Sequence, residues 1–240
     1  MNWLRNICPL SEKAITIKLG NVIDEKIHYQ VVSLQQFIRE LQIPGFVETV
    51  PAYCDLTFFY NPLELISAIP EAKQGITKWL MAYLSKALEH WQPANTMAGS
   101  AYVEIPVCYD SDFGFDLDEV AAFHHCSREE IIEAHYRHTY KVYMMGFTPG
   151  FPYLGILPDT LATPRKNQPR LTVPEGSVAL AGNQTGIYPL QSPGGWNIIG
   201  RTPLKLFDKK KENPFLLATG DTVKFIPISK EIFNELSCHD

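Results

Sequence analysis

GFTPGFPYLGILPDTLATPRKNQPRLTVPEGSVALAGNQTGIYPLQSPGGWNIIGRTP, residues 146–203, holds nine of the chain's 15 glycines and nine of its 18 prolines. In a helix interior a glycine costs about 1 kcal/mol and a proline about 3, and proline also removes a backbone donor. No helix survives that density. The apolar pieces between the breakers are short: 178–180, 186–188, 197–199 and, further on, 222–226. Short strands between closely spaced turns predict a compact β-barrel or sandwich.

Upstream the texture is different. Residues 13–19 place Ile15, Ile17 and Leu19 on one face, the period of a half-buried strand. Residues 24–41 space Ile27, Val31, Leu34, Ile38 and Leu41 as an amphipathic helix, which Pro44-Gly45 should end. Strands are expected at 46–50 and 56–60, and a second helix over about 71–91. The order β-α-β-β-α matches a ferredoxin-like unit, and 102–107 could add its last strand or open the next domain. Polar, small residues at 93–100 read as a linker. Two short helices are expected at 116–123 and 127–138, the second opened by a Ser127/Glu130 capping box. The chain is therefore read as α+β in two domains, 1–94 and 95–240.

Composition narrows the function. The chain has 240 residues, is 45% hydrophobic and 20% charged, and carries a net charge of −5. Lys209-Lys210-Lys211 is its longest basic run, which gives no electrostatic footprint for nucleic acid. No segment has the apolar length that spans a bilayer, and residues 1–10 do not read as a signal peptide. A cytoplasmic protein is expected. The five cysteines are odd in number and form no CxxC pair, so neither a disulfide framework nor a structural zinc site is expected.

Within 146–203 the charge balance reverses: four bases (Arg165, Lys166, Arg170, Arg201) face two acids (Asp159, Glu175). Arginine's planar fork suits a carboxylate or phosphate, and Arg165 and Arg170 each follow a proline. Gln184 and Tyr188 add polar groups nearby. The pair Gly194-Gly195, before Trp196, allows backbone amides to approach an anion closely. Glycines serving turns and arginines pairing with surface carboxylates would explain the same pattern. No Walker-type or dinucleotide-binding glycine motif is present.

The run YMMGFTPGFPYLGILP (143–158), with residues 164–208, resembles the family of the 5-oxoprolinase B-type subunit, also labelled allophanate hydrolase subunit 1 or Kip-type kinase inhibitor. Residues 7–20, 44–62 and 105–121 follow the same pattern, and Ile156 departs from it where the family usually has glycine. The resemblance implies a ferredoxin-like N-terminal domain followed by a cyclophilin-like β-barrel, similar to part of the carboxyltransferase region of urea carboxylase. It implies the ATP-dependent opening of 5-oxoproline to glutamate, performed with a homologous C-type subunit, plus a separate A-type one. ATP, with Mg²⁺, would serve the complex, and no metal or biotin is expected in this chain. Inhibition of a sensor histidine kinase is the alternative carried by the family's other label. An allophanate hydrolase or urea carboxylase relationship and, by fold analogy alone, prolyl isomerisation stand further off.

On this basis Arg165, Arg170, Gln184 and the Gly194-Gly195-Trp196 loop are expected to bind substrate. Tyr188 and His135 are the expected catalytic groups. The family pattern also carries histidine at His135, which would either face the barrel pocket as a proton donor or be a buried structural residue.

Overall fold

A computed structural model describes residues 6–93 and 100–238. The chain divides into two compact units, Met1–Gly99 and Ser100–Asp240. Most of the expected linker, and the expected boundary between 94 and 95, lie outside the described residues.

The first unit runs β1 (Ile7–Ser11), β2 (Ala14–Lys18), α1 (Glu25–Glu40), β3 (Phe46–Pro51), β4 (Asp55–Tyr60), α2 (Pro62–Ala68) and α3 (Ile76–Ala87). Alternation in β2 buries Ile15 and Ile17 under the helices and leaves Thr16 to bond Thr57 on the other face, at 3.0 Å. Asp24 caps α1 by accepting from the Ile27 amide at 3.0 Å, as the short polar side chain at that position should. Val31, Leu34 and Ile38 form the helix's buried stripe.

Two expectations need correction here. The helix expected over 71–91 is interrupted: Pro70–Gln74 is a 3₁₀ turn, Gly75 is extended, and α3 starts only at Ile76. The helix α2 was not expected, although Asn61-Pro62 is a start signal: the Asn61 side chain accepts from Leu63 N and proline occupies the first turn.

The sheet order is β1-β2-β4-β3, antiparallel throughout. A two-residue turn folds β1 back on β2, so the edge open to a final strand is already taken. Residues 102–107 accordingly pair elsewhere.

They form β5 (Tyr102–Val107) of the second unit. That unit continues with α4 (Leu117–Phe123), α5 (Arg128–Arg137), β6 (Thr139–Met145), β7 (Pro152–Gly155), β8 (Arg170–Val173), β9 (Ser177–Ala181), β10 (Gln184–Ile187), β11 (Ser192–Gly194), β12 (Asn197–Arg201), β13 (Thr222–Pro227) and α6 (Lys230–Ser237). Seven strands form one sheet in the order β12-β9-β10-β7-β6-β13-β5, and β8 pairs with β11 as a separate ribbon. The large sheet curls until its edges meet. Just past β5, Cys108 exchanges both backbone hydrogen bonds with Arg201 of β12, at 2.8 and 2.9 Å. The Ser127/Glu130 capping box is present at α5. No helix among the described residues is long and apolar enough to cross a membrane.

Every residue of β9 is buried, because the strand divides two clusters. Val178 and Leu180 join the main core with Leu117, Val142, Leu154 and Phe225. Ala179 and Ala181 point the other way, where their small size leaves room for Phe151, Tyr188 and Trp196. That aromatic layer carries the site described below.

At the seam a Cβ on Gly200 would lie 2.9 Å from the Cys108 carbonyl oxygen and 2.9 Å from Val107 Cγ1. Gly200→Val is therefore expected to destabilise the second unit by about 1–3 kcal/mol, the cost of overpacking a filled site. Denaturant unfolding followed by circular dichroism would measure it, and a midpoint equal to the parent's would refute it.

Candidate active site

A cavity of about 300 Å³ opens over the aromatic layer. Phe151, Tyr153, Tyr188 and Trp196 form its floor and sides. Arg165, Lys166 and Pro169 line it from one direction, Pro193, Gly194 and Gly195 from another, and Phe147 completes it. The rings meet edge to face: Phe151 stands 5.2 Å from Tyr188 and 5.4 Å from Trp196, at interplanar angles of 84° and 85°. This is the geometry favoured by the ring quadrupoles.

Of the eight residues expected from the sequence, the fold brings five to this cavity: Arg165, Tyr188, Gly194, Gly195 and Trp196. Arg165 is exposed, with its guanidinium 5.8 Å from the Trp196 ring centroid, and among the described residues it makes no ion pair. Gly194 serves close packing, since a Cβ there would overlap the Tyr188 hydroxyl. Burial pushes the Tyr188 phenol up, against the backbone of Trp196 and the charge of Arg165, which pull it down. Burial likewise raises Tyr153.

Arg170 does not face the cavity as a free cation. It is held in a two-pronged contact by Asp116, Nη1 to Oδ2 at 2.7 Å and Nη2 to Oδ1 at 2.6 Å. Lys166 Nζ donates to the same carboxylate at 2.6 Å and to Glu119 at 2.7 Å, and the Ile198 amide donates to Asp116 at 2.7 Å. Asp116 is fully buried. Burial alone would raise its pKa, but these donors together outweigh that and hold it below the usual carboxylate range. Thus the local excess of positive charge read from the sequence is largely neutralised by Asp116 and Glu119, acids lying outside 146–203.

His135 is the second correction. It is fully buried and does not line the cavity. Thr185 Oγ1 donates to the Ala179 carbonyl at 3.1 Å, so it accepts from His135 Nε2 at 3.0 Å. The proton therefore sits on Nε2, and Nδ1 accepts from the Tyr109 hydroxyl at 2.8 Å. Tyr140 and Phe225 stack on the ring. Burial, with the nearby charge of His138, lowers the His135 pKa to about 3. The imidazole is a neutral structural group. Gln184 lies on β10, on the same face as Gly186, but does not reach the cavity.

Sequence reasoning singled out neither Asp116 nor the aromatic residues Phe147, Phe151 and Tyr153. The aromatics were visible in the quoted run GFTPGFPYLG, whereas nothing local marks Asp116, whose partners are 50 or more residues away. Among the described residues no three His, Cys, Asp or Glu converge as a metal site.

The family model for the carboxyltransferase domain, subdomain C and D, matches residues 5–217. The chain belongs to this family. The 5-oxoprolinase B subunit of Bacillus subtilis is 40% identical over 229 residues, covering 94% of this chain and 93% of that protein. The Haemophilus influenzae protein of the same name is 41% identical over 222 residues, covering 92% and 97%. Among solved structures, TTHA0988 superposes with a TM-score of 0.75 at 36% identity. The match takes in 90% of this chain and 40% of that one, so the family fold also occurs as part of a longer chain.

Two outcomes are expected. Asp116→Asn should cost about 3–5 kcal/mol in urea unfolding, because it leaves two cations facing an uncharged group in a buried setting; a loss below 1 kcal/mol would contradict this. For His135 the folded pKa lies below the ordinary 6.5, so the unfolded chain binds the extra proton. Its stabilising contribution is complete above that ordinary value and falls by about 1.4 kcal/mol per pH unit as pH drops toward the folded pKa. The difference between parent and His135→Gln stability should follow that slope, and a pH-independent difference would contradict it.

Proposed function

We propose that this chain is the B-type subunit of an ATP-dependent 5-oxoprolinase, that it holds the lactam in the aromatic cavity, and that it is inactive alone. One observation carries the reading: the cavity is built to bind and not to hydrolyse. Its lining has five aromatic rings and Arg165, which has no ion-pair partner among the described residues, but no carboxylate, histidine or thiol. A small anionic ring fits such a site. The rings take the apolar edge of the lactam, and Arg165 offers its fork to the carboxylate. Trp196 backs the guanidinium, and Gly194 and Gly195 let the ribbon close over Tyr188. Tyr188 supports the floor, since both phenols in the cavity are pushed above their ordinary range and are poor bases near neutrality.

The residues present do not suit the phosphates of ATP. Lys166 and Arg170 are committed to Asp116, and no glycine-rich phosphate loop occurs. The nucleotide and the catalytic base are assigned to the C-type and A-type partners, in the cytoplasm. The fold is read as a ferredoxin-like domain whose edge strand comes from the N-terminus, followed by a cyclophilin-like barrel. The curated relatives of matching length and name support this reading.

The test is 5-oxoproline-dependent ATP hydrolysis by the assembled enzyme. Arg165→Ala should lower kcat/KM about 30- to 1000-fold, or about 2–4 kcal/mol, and Arg165→Lys should recover only part of it. Arg170→Ala should act through a lower melting temperature. Full activity in Arg165→Ala would move the carboxylate site elsewhere.

A further inference from the structure

Phe147 lies in the turn between β6 and β7, with φ at +64°. The left-handed region is rarely occupied by a bulky side chain, because its Cβ crowds the following carbonyl. The turn is closed around it: Gly146 N donates to Phe151 O at 3.1 Å, Thr148 N to Gly146 O at 2.8 Å, and Phe151 N to Thr148 O at 3.1 Å. Glycine would occupy the position without strain. The strain does not serve the core either, since Phe147 is 62% exposed while Phe151, Tyr188 and Trp196 are buried. What the conformation achieves is placement. The ring stands edge-on to Phe151 at 5.6 Å and to Tyr188 at 6.4 Å, as the exposed member of the cavity lining. Backbone strain persists where a clamp or binding site uses it.

We infer that Phe147 is a further substrate-binding residue, the outer wall that packs on the methylene edge of the lactam ring and shields it from water. The inference rests on the reading of the cavity as the 5-oxoproline site. It separates a binding role from a structural one, because the two residues that remove the ring differ in strain: alanine keeps it and glycine relieves it.

The experiment uses the assembled enzyme with Phe147→Ala, Phe147→Gly and Phe147→Leu, alongside thermal melting of each variant chain. Alanine and glycine should both raise KM for 5-oxoproline about tenfold, the scale of one lost aromatic contact. KM for ATP should stay unchanged, and leucine should restore much of the loss. The glycine variant should melt above the alanine variant by about 2–4 °C. Parent turnover with an unchanged KM for 5-oxoproline in both small variants would overturn the inference alone. A parent assembly that does not turn over 5-oxoproline would overturn the reading of the cavity and this inference with it.

Discussion

The carboxylate of Asp116 ties together segments that the chain supplies far apart. It sits at the start of α4 and receives donors from Lys166, from Arg170 at the head of β8, and from the backbone of Ile198 in β12. Its own amide returns a bond to the Ile198 carbonyl at 2.8 Å. A buried charge is costly unless its lone pairs are filled, and here two cations and an amide fill them. The wall of residues 165–170 is thereby pinned to the sheet. Arg165, between these anchors and the cavity, is left without an anionic partner among the described residues. The site's electrostatics depend on that division: two of three neighbouring cations are neutralised, and one faces the opening.

The second constraint is the alternation along β9. Large side chains at Val178 and Leu180 fill the main core, and small ones at Ala179 and Ala181 leave depth on the opposite face. Only with alanines there can the layer of Phe151, Tyr188 and Trp196 pack on the sheet and still leave about 300 Å³ above it. On the main-core side Thr185 of β10 reaches His135, whose two nitrogens are both satisfied. A histidine shared with the family pattern thus serves packing and polar satisfaction. The same strand pair supports the cavity on one face and buries the imidazole on the other.

A cavity that binds without a base is an incomplete catalytic centre. Hydrolysis of a lactam needs a group to activate water and a means to stabilise developing charge, and the lining residues provide at most the second. A division of labour among several chains fits this chemistry better than a self-contained enzyme does. The matched length of the B-type relatives, and the occurrence of the same fold within a longer chain, agree with a module that works beside others.

Local rules made much of the fold legible. The period of residues 13–19 and 24–41, the capping box at Ser127, and the glycine and proline density of 146–203 are each settled by neighbours within a few positions, and the corresponding elements formed. The break at Gly75 and the helix at 62–68 were missed because a continuous apolar stripe was weighed above the Asn-Pro and Gly signals inside it. Family resemblance marked the segment that builds the cavity, and five of the eight residues singled out line it. What no local pattern could decide was which cations would be free and which histidine would be enclosed. Those outcomes depend on Asp116 lying 50 residues from Lys166, and on Thr185 lying 50 residues from His135. Charge and burial are properties of the surroundings, and the surroundings exist only once distant segments have packed.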